Sequence, residues 1–383
     1  MTFLLGLLIL SAAACGPKEP SFTAKPNILL QSFFKGDDLV DYHTRVYETL
    51  SVSNNENYVL ATVGSDLIGK TNLILFVQNE EQGFDQHILE GMSDRRGIGD
   101  IDLGVSNDGA IEIPLRVGED FRLYRYSKAT GLNFYSVPGD WSGGVVDNGV
   151  VALLSKRHEI SYTTSKAIVA GGPLDLRRAH VGLGSELHDL RSYGQQLGLL
   201  AQGDNRSEFW YYVIDSASGN VVSKLLIEDV DYLADLRILP GASHDDVVIA
   251  ESRQAVAWKN VSLGFVSLNL LTSEVSYDAY SSRTDEEIIQ GLACQYSGSA
   301  TPFAVYAKSR DAGDLLFIDV GQNRGLRIDL AGKNYIKNLE MLDGQGTQGN
   351  DGSILLAYDA IRDYTAIHTL AIMPVSDFIE CEK

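Results

Sequence analysis

The sequence predicts an all-β chain, and three observations carry that prediction. Glycine and tyrosine are abundant, short apolar runs stop abruptly in polar residues, and the spacing between those runs recurs. The chain has 383 residues, with 37 Gly, 18 Tyr and only 4 Met. Length alone would favour two or three domains, but closed all-β folds often use far more residues as one unit.

The recurring runs come first. "YVLATVG", "IEIPLRVG", "VVALLSKR", "LGLLAQGD", "VVIAESR", "FAVYAKS" and "ILLAYDA" place Ala61, Pro114, Leu154, Ala201, Ala250, Ala307 and Ala357 at one spot on a short strand. Their separations are 53, 40, 47, 49, 57 and 50 residues, a mean near 49. A second series interleaves as strand, turn and strand: "NLILFVQNEEQGFDQHIL", "RLYRYSKATGLNFYSV", "FWYYVIDSASGNVVSKL", "LGFVSLNLLTSEVSYDAY" and "DLLFIDVGQNRGLRIDL". Four of the five turn at a glycine, Gly83, Gly131, Gly219 or Gly325, because glycine accepts the positive φ of a tight turn. The fifth turns through Thr272, Ser273 and Glu274, and "KAIVAGGPLDLRRAHV" and "AIHTLAIMPVSDFIE" occupy the remaining two slots less cleanly.

A third signal sits just ahead of three first-series strands. "SNDGAIEI", "VDNGVVAL" and "GNDGSILL" put Asp108–Gly109, Asn148–Gly149 and Asp351–Gly352 where hairpin turns need left-handed residues. These are structural turns; a calcium loop needs a denser run of Asp and Asn.

Units of about 50 residues with three or four strands each fit radial repetition, which leaves only short, protected edges. The reading is a single β-propeller over residues 26–383 with seven blades; six and eight stay open because the third unit is short. In the last unit "NLEML", "ILLAYD" and "AIHTLAIM" supply three strands. The outermost is either "DFIECE" or "NILLQSF" from the start of the domain, which would close the ring by pairing the termini. No specific propeller family is identified from these turns.

The segment before the repeats carries an address. Thr2 to Ala14 hold an apolar stretch of about 12 residues, whereas crossing a bilayer takes about 20. That length suits the apolar core of a secretory signal. The small residues Ala12, Ala13 and Ala14 stand directly before Cys15, and "LSAAAC" resembles the lipobox of bacterial lipoproteins. The resemblance covers about the first 20 residues, with Ala12 where the family favours Leu and no Lys or Arg before the apolar run. It implies a signal peptide over 1–14, a lipidated Cys15 and an extended tether over 15–25. Prolines in "CGPKEPSFTAKP" favour a spacer. Several acyl chains, at about 0.8 kcal/mol per buried methylene, hold a protein on a membrane where one chain would not. Gly16 after the cysteine implies the outer membrane rather than the inner in a Gram-negative cell.

Composition bounds the partners. With 51 Asp and Glu against 31 Lys and Arg, the net charge of −20 argues against nucleic acid, which rewards basic residues. With Cys15 lipidated, Cys294 and Cys381 remain as a candidate disulfide in an oxidising compartment; two unpaired thiols are the alternative.

Linear motifs for chemistry are thin. His180, His188 and Asp189 lie close together but do not match a zinc spacing, and "HVGLGSELHD" reads as an exposed loop. "GASHDD" sets Ser243, His244, Asp245 and Asp246 in a row, where triad members seldom sit. Trp141, Trp210, Trp258 and "FWYY" could offer a sugar-stacking platform or simply pack between sheets. Arg177 and Arg178 could grip an acidic partner or stay solvated. No metal site and no cofactor are expected. The function that follows is a membrane-tethered periplasmic or surface lipoprotein, bound to the bilayer through acylated Cys15, whose propeller binds other envelope proteins or a ligand. A carbohydrate-binding propeller is one alternative. A hydrolase or lyase with residues drawn from several blades is the other, since propeller enzymes leave no linear motif.

Overall fold

The computed structural model describes residues 102–181, 186–203 and 208–227 in full. Beyond them it describes the strands named below, with side chains at fewer positions, among them Tyr58, Leu60, Leu73 and Leu268. Two strands open the chain, β1 (Ser21–Phe22) and β2 (Asn27–Lys35). A first group follows as β3 (Tyr42–Val52), β4 (Glu56–Ser65), β5 (Lys70–Gln78) and β6 (Phe84–Met92). The second is β7 (Gly104–Val105), β8 (Ile111–Val117), β9 (Asp120–Ser127) and β10 (Gly131–Ser136). The third is β11 (Trp141–Asp147), β12 (Val150–Ser155) and β13 (Ile160–Thr164), then the helix α1 (Ser165–Val169) and β14 (Arg177–Arg178). The fourth is β15 (Glu186–Tyr193), β16 (Gln196–Gln202), β17 (Phe209–Asp215) and β18 (Val221–Ile227). The fifth is β19 (Asp235–Ile238), β20 (Asp246–Gln254), β21 (Ser262–Asn269) and β22 (Glu274–Ser281). The sixth is β23 (Ile288–Cys294), β24 (Phe303–Lys308), β25 (Asp314–Asp319) and β26 (Arg324–Asp329). The last is β27 (Asn334–Leu342), β28 (Ser353–Arg362) and β29 (Thr365–Pro374).

Within each group successive strands pair antiparallel, so every group is a small sheet. The fifth and sixth are joined where Arg253 and Gln254 of β20 pair with Gly291 and Gln290 of β23. The last group gains its fourth strand from the far end of the chain. Here β2 lies antiparallel to β29, from Asn27 opposite Ile372 to Lys35 opposite Thr365. The "NILLQSF" strand therefore closes the last sheet; "DFIECE" lies outside the described residues.

First strands meet in two runs: β7 with β11, β11 with β15 and β15 with β19, and β23 with β27 and β27 with β3. This is a β-propeller, and alternation along its strands explains the sequence. On β9, Tyr124 and Tyr126 pack with Tyr58, Leu60, Leu73 and Leu75 of the first group. Phe121 and Leu123 point the other way, to Trp141, Val146, Val151 and Leu153 of the third. Similar cores join the third group to the fourth and the fourth to the fifth. A strand buried on both faces reads as a nearly continuous apolar run, as "QLGLLAQ" does on β16. Each fully buried Leu or Phe contributes roughly 1.5–3 kcal/mol.

Every residue of the first repeat series falls on the second strand of its group, from Ala61 on β4 to Ala357 on β28. The second series forms the hairpins between third and fourth strands. Antiparallel alternation then gives the ring two ends. The hairpin end carries the turns from first to second and from third to fourth strands. The linker end carries the turns from second to third strands and the connections between groups.

Turn chemistry at the hairpin end is local. Asn148 (φ 47°) and Gly149 (φ 70°) join β11 to β12 in left-handed conformations. Gly109 (φ 80°) follows Asp108 between β7 and β8. Gly219 (φ 76°) lies so close to the third group that a Cβ there would sit 2.3 Å from the Arg178 carbonyl oxygen. Gly325 lies one step past its expected turn, inside β26 opposite Ile318. The β21–β22 hairpin lacks glycine; Asn269 Oδ1 accepts from the Leu271 and Thr272 N–H groups, and Ser273 takes φ 58°. In the third group α1, capped by Thr164 Oγ1 on Ala167 N, replaces a plain hairpin and leaves β14 only two residues. No described helix is long and apolar enough to cross a membrane.

Candidate functional site

Among the described residues, one set of buried and partly buried charges lies on or beside the first strands of the second, third and fourth groups. Asp102 stands two residues ahead of β7, and its Oδ2 accepts from Val146 N–H on β11. Gly104 makes that approach feasible, since a Cβ on it would lie 2.4 Å from the Val146 carbonyl oxygen. Asp147 ends β11, and its Oδ2 accepts from Ser192 N–H on β15 at 2.7 Å. Asp189 on β15 repeats the move: Oδ2 accepts from Ile238 N–H on β19 at 2.7 Å, and Oδ1 from Leu190 N–H at 2.7 Å. Each side chain thus holds the first strand of the next group by a hydrogen bond to its backbone.

Arg191 threads between two of them. Its Nε and Nη2 donate to the Ile238 carbonyl at 3.2 and 2.9 Å. Its guanidinium lies 3.6 Å from Asp189 and 3.9 Å from Asp147. Burial, reinforced by the nearby Asp189 charge, pushes the Asp102 carboxyl up to about 7, against the pull of Val146 N–H and Arg191. Tyr193 and Tyr211 flank the cluster above Gly198, where a Cβ would stand 2.1 Å from Tyr211 Oη. Burial raises both phenols. The arrangement can clasp strands and store a proton.

A second constellation serves the turn of the second group. Arg125 on β9 pairs with Asp108 and, at 3.2 Å, with the fully buried Glu112. Hydrogen bonds from Arg125 and Ser106 hold the Asp108 carboxyl down to about 2, while burial raises Glu112. Asp108 is therefore a turn residue fastened to its own sheet. At the linker end Lys156 pairs with Asp140 and with Glu119, all three exposed. Among the described residues, no three His, Cys, Asp or Glu side chains group as metal ligands.

Several sequence expectations change here. His188 and Asp189 are not on an exposed loop but on β15, with Asp189 buried. The polar pattern of "ELHDLRSY" misleads because a bulge between Leu187 and Asp189 inserts His188, and the acidic and basic groups find partners on adjacent strands. His180 is exposed, its N–H donating to the Gly219 carbonyl, so the two histidines are not brought to one site. Arg177 and Arg178 are engaged within the ring: Arg177 Nη1 donates to the Ser216 carbonyl at 2.6 Å, and Arg178 pairs with Glu159 at 2.7 Å. Trp141 is buried with Nε1 on the Pro138 carbonyl, so it offers no sugar platform. Trp210 stacks on Tyr212, and Lys224 Nζ sits 5.1 Å from its ring centroid. Cys294 ends β23. Cys15, Ser243, His244, Asp245, Trp258, Asp351, Gly352 and Cys381 lie outside the described residues.

Sequence reasoning missed Asp102, Asp147 and Arg191. The available signal was an acid set inside apolar runs, "IDLG", "VVDNGVV" and "HDLRSY", where an unpaired charge would be costly.

No family model matches this chain, and no curated protein matches it. Solved structures similar to it include the dihydro-haem d1 dehydrogenase NirN, with 12% identity over 94% of this chain and 82% of that one, at TM-score 0.45. A protein of Lactobacillus plantarum gives 10% identity over 84% and 93%, also at TM-score 0.45. Hydrazine synthase of Kuenenia stuttgartiensis gives 9% over 76% and 81%, at TM-score 0.43. Similarity this low says nothing about ligand or activity, and the propeller rests on this chain's own strand order.

Proposed function

We propose that the chain is a lipid-anchored binding module of the bacterial cell envelope, held at Cys15 and working through the faces of its ring on another envelope protein. The observation that carries the binding reading is the use made of the central charges. Asp102, Asp147, Asp189 and Arg191 are spent on backbone groups of neighbouring first strands, so the centre of the ring is a clasp. The leader and the outer-membrane address come from the "LSAAACG" pattern.

The test uses the full chain in its native envelope with a photocrosslinking residue at Glu119 or Arg157, both exposed. A binding module gives a discrete adduct of one mass at these positions. A uniform absence of adducts across the turns of both ends would remove the reading. The mature N-terminus is read by mass spectrometry in the same preparation; a processed, acylated Cys15 is expected, and an uncleaved or unmodified chain would end the anchor.

A further inference from the structure

We infer that the lipid surface faces the hairpin end of the ring, which leaves the linker end turned toward the aqueous compartment. This rests on the anchor at Cys15 and adds an orientation to it. The tether does not swing freely to the domain boundary, because β1 pairs with the edge of the sixth sheet, Ser21 opposite Arg327 and Phe22 opposite Ile328. That pairing is parallel, and β26 is a fourth strand, so it starts at the hairpin end. The chain entering β1 therefore comes from the hairpin end. The same holds at β2, which runs antiparallel to the third strand β29 and so also starts at that end.

Distance supports the direction. Six residue steps separate Cys15 from Ser21, which reach at most about 20 Å when extended. Ser21 is level with the fourth residue of β26, so roughly 10 Å of that reach is used in passing the hairpin end. To put lipid at the linker end instead, the tether would have to reverse, and a reverse turn takes about four residues. The two steps left would reach about 7 Å, no further than the end of β26 itself.

The described surface agrees independently. Leu271, 77% exposed, is the most exposed large apolar side chain among the described residues, and it sits at the tip of the β21–β22 hairpin. Exposed charges lie at both ends, Glu119, Asp140, Lys156 and Arg157 at the linker end and Asp108, Lys128 and Glu274 at the hairpin end.

The experiment uses the full acylated chain in vesicles of phosphatidylethanolamine and phosphatidylglycerol with an acceptor dye on a minority of lipid headgroups. A donor dye is attached through a clickable residue at Leu271 or, in a second sample, at Arg157. Energy transfer to the vesicle surface is expected to be several-fold higher from position 271. Equal transfer, or more from position 157, overturns the orientation while leaving the anchor standing. The variant Cys15→Ser, together with the mass of the mature N-terminus, reads the anchor separately. If the wild-type chain proves unacylated, or the variant binds vesicles as well as the wild type, the anchor fails and the orientation falls with it.

Discussion

Asp102 sets the pH response of the ring at the scale of one residue. Its folded-state carboxyl is raised from 3.8 to about 7, chiefly by burial, so the folded chain keeps a proton that the unfolded chain releases. Stability therefore falls as pH rises from about 4 to about 7 and levels off above that window. The sign is opposite at Asp108, held down to about 2 by Arg125 and Ser106; its contribution is present above about 4 and lost on acidification through 2. The two windows do not overlap. The melting temperature of wild type should decline between pH 5 and pH 8, and Asp102→Asn should flatten that decline, because the amide oxygen can still accept from Val146 N–H without carrying charge. With one pKa unit worth about 1.4 kcal/mol, the lost slope is on the order of a few kcal/mol. An unchanged profile in the variant would show that Asp102 does not titrate in this range.

At the scale of elements, the first and second strands of each group divide the work. In five groups the first strand carries a bulge that passes over Tyr47, Ser142, His188, Ile289 or Lys337. In each of them the residue of the repeat series, Ala61, Leu154, Ala201, Ala307 or Ala357, pairs at the edge of that bulge. The repeat was legible because its period follows the place where a kinked strand crosses its partner. The bulge was not legible, since one extra residue leaves no trace in composition. First strands were also harder to read: β7 has two residues, and β15 mixes charges into its apolar pattern. Gly104→Ala tests the contact between β7 and β11. A methyl group 2.4 Å from the Val146 carbonyl meets backbone, which cannot rotate away. Overpacking of this kind costs typically 1–3 kcal/mol, to be read as a lower denaturation midpoint with an unchanged slope.

For the molecule as a whole, the period near 49 residues and the pairing of the termini were legible, because both follow from strand chemistry repeated along the chain. The clasp at the centre was not. It joins Asp102, Asp147, Asp189 and Arg191 across groups about 45 residues apart, and their meeting depends on the ring being closed. Closure by β2 gives a sharp comparison of truncations. A chain lacking residues 1–26 keeps β2 and should melt in one cooperative transition. A chain lacking residues 1–35 exposes the edge of β29, and it should melt at lower temperature and aggregate, as seen by circular dichroism and light scattering. Matching behaviour of the two chains would mean that β2 is dispensable to the ring.

That same strand places a clock on folding. Between 330 and 345 residues separate the partners of β2 and β29, so the last pairing to become available joins almost the first strand made to the last. Closing so long a loop costs about 5 kcal/mol in chain entropy by the logarithmic law, and pairings of such separation form slowly. A chain still being threaded through any pore has no partner for β2 and stays an open arc. Its leading strand stays unpaired on that edge for as long as the trailing end has not been made.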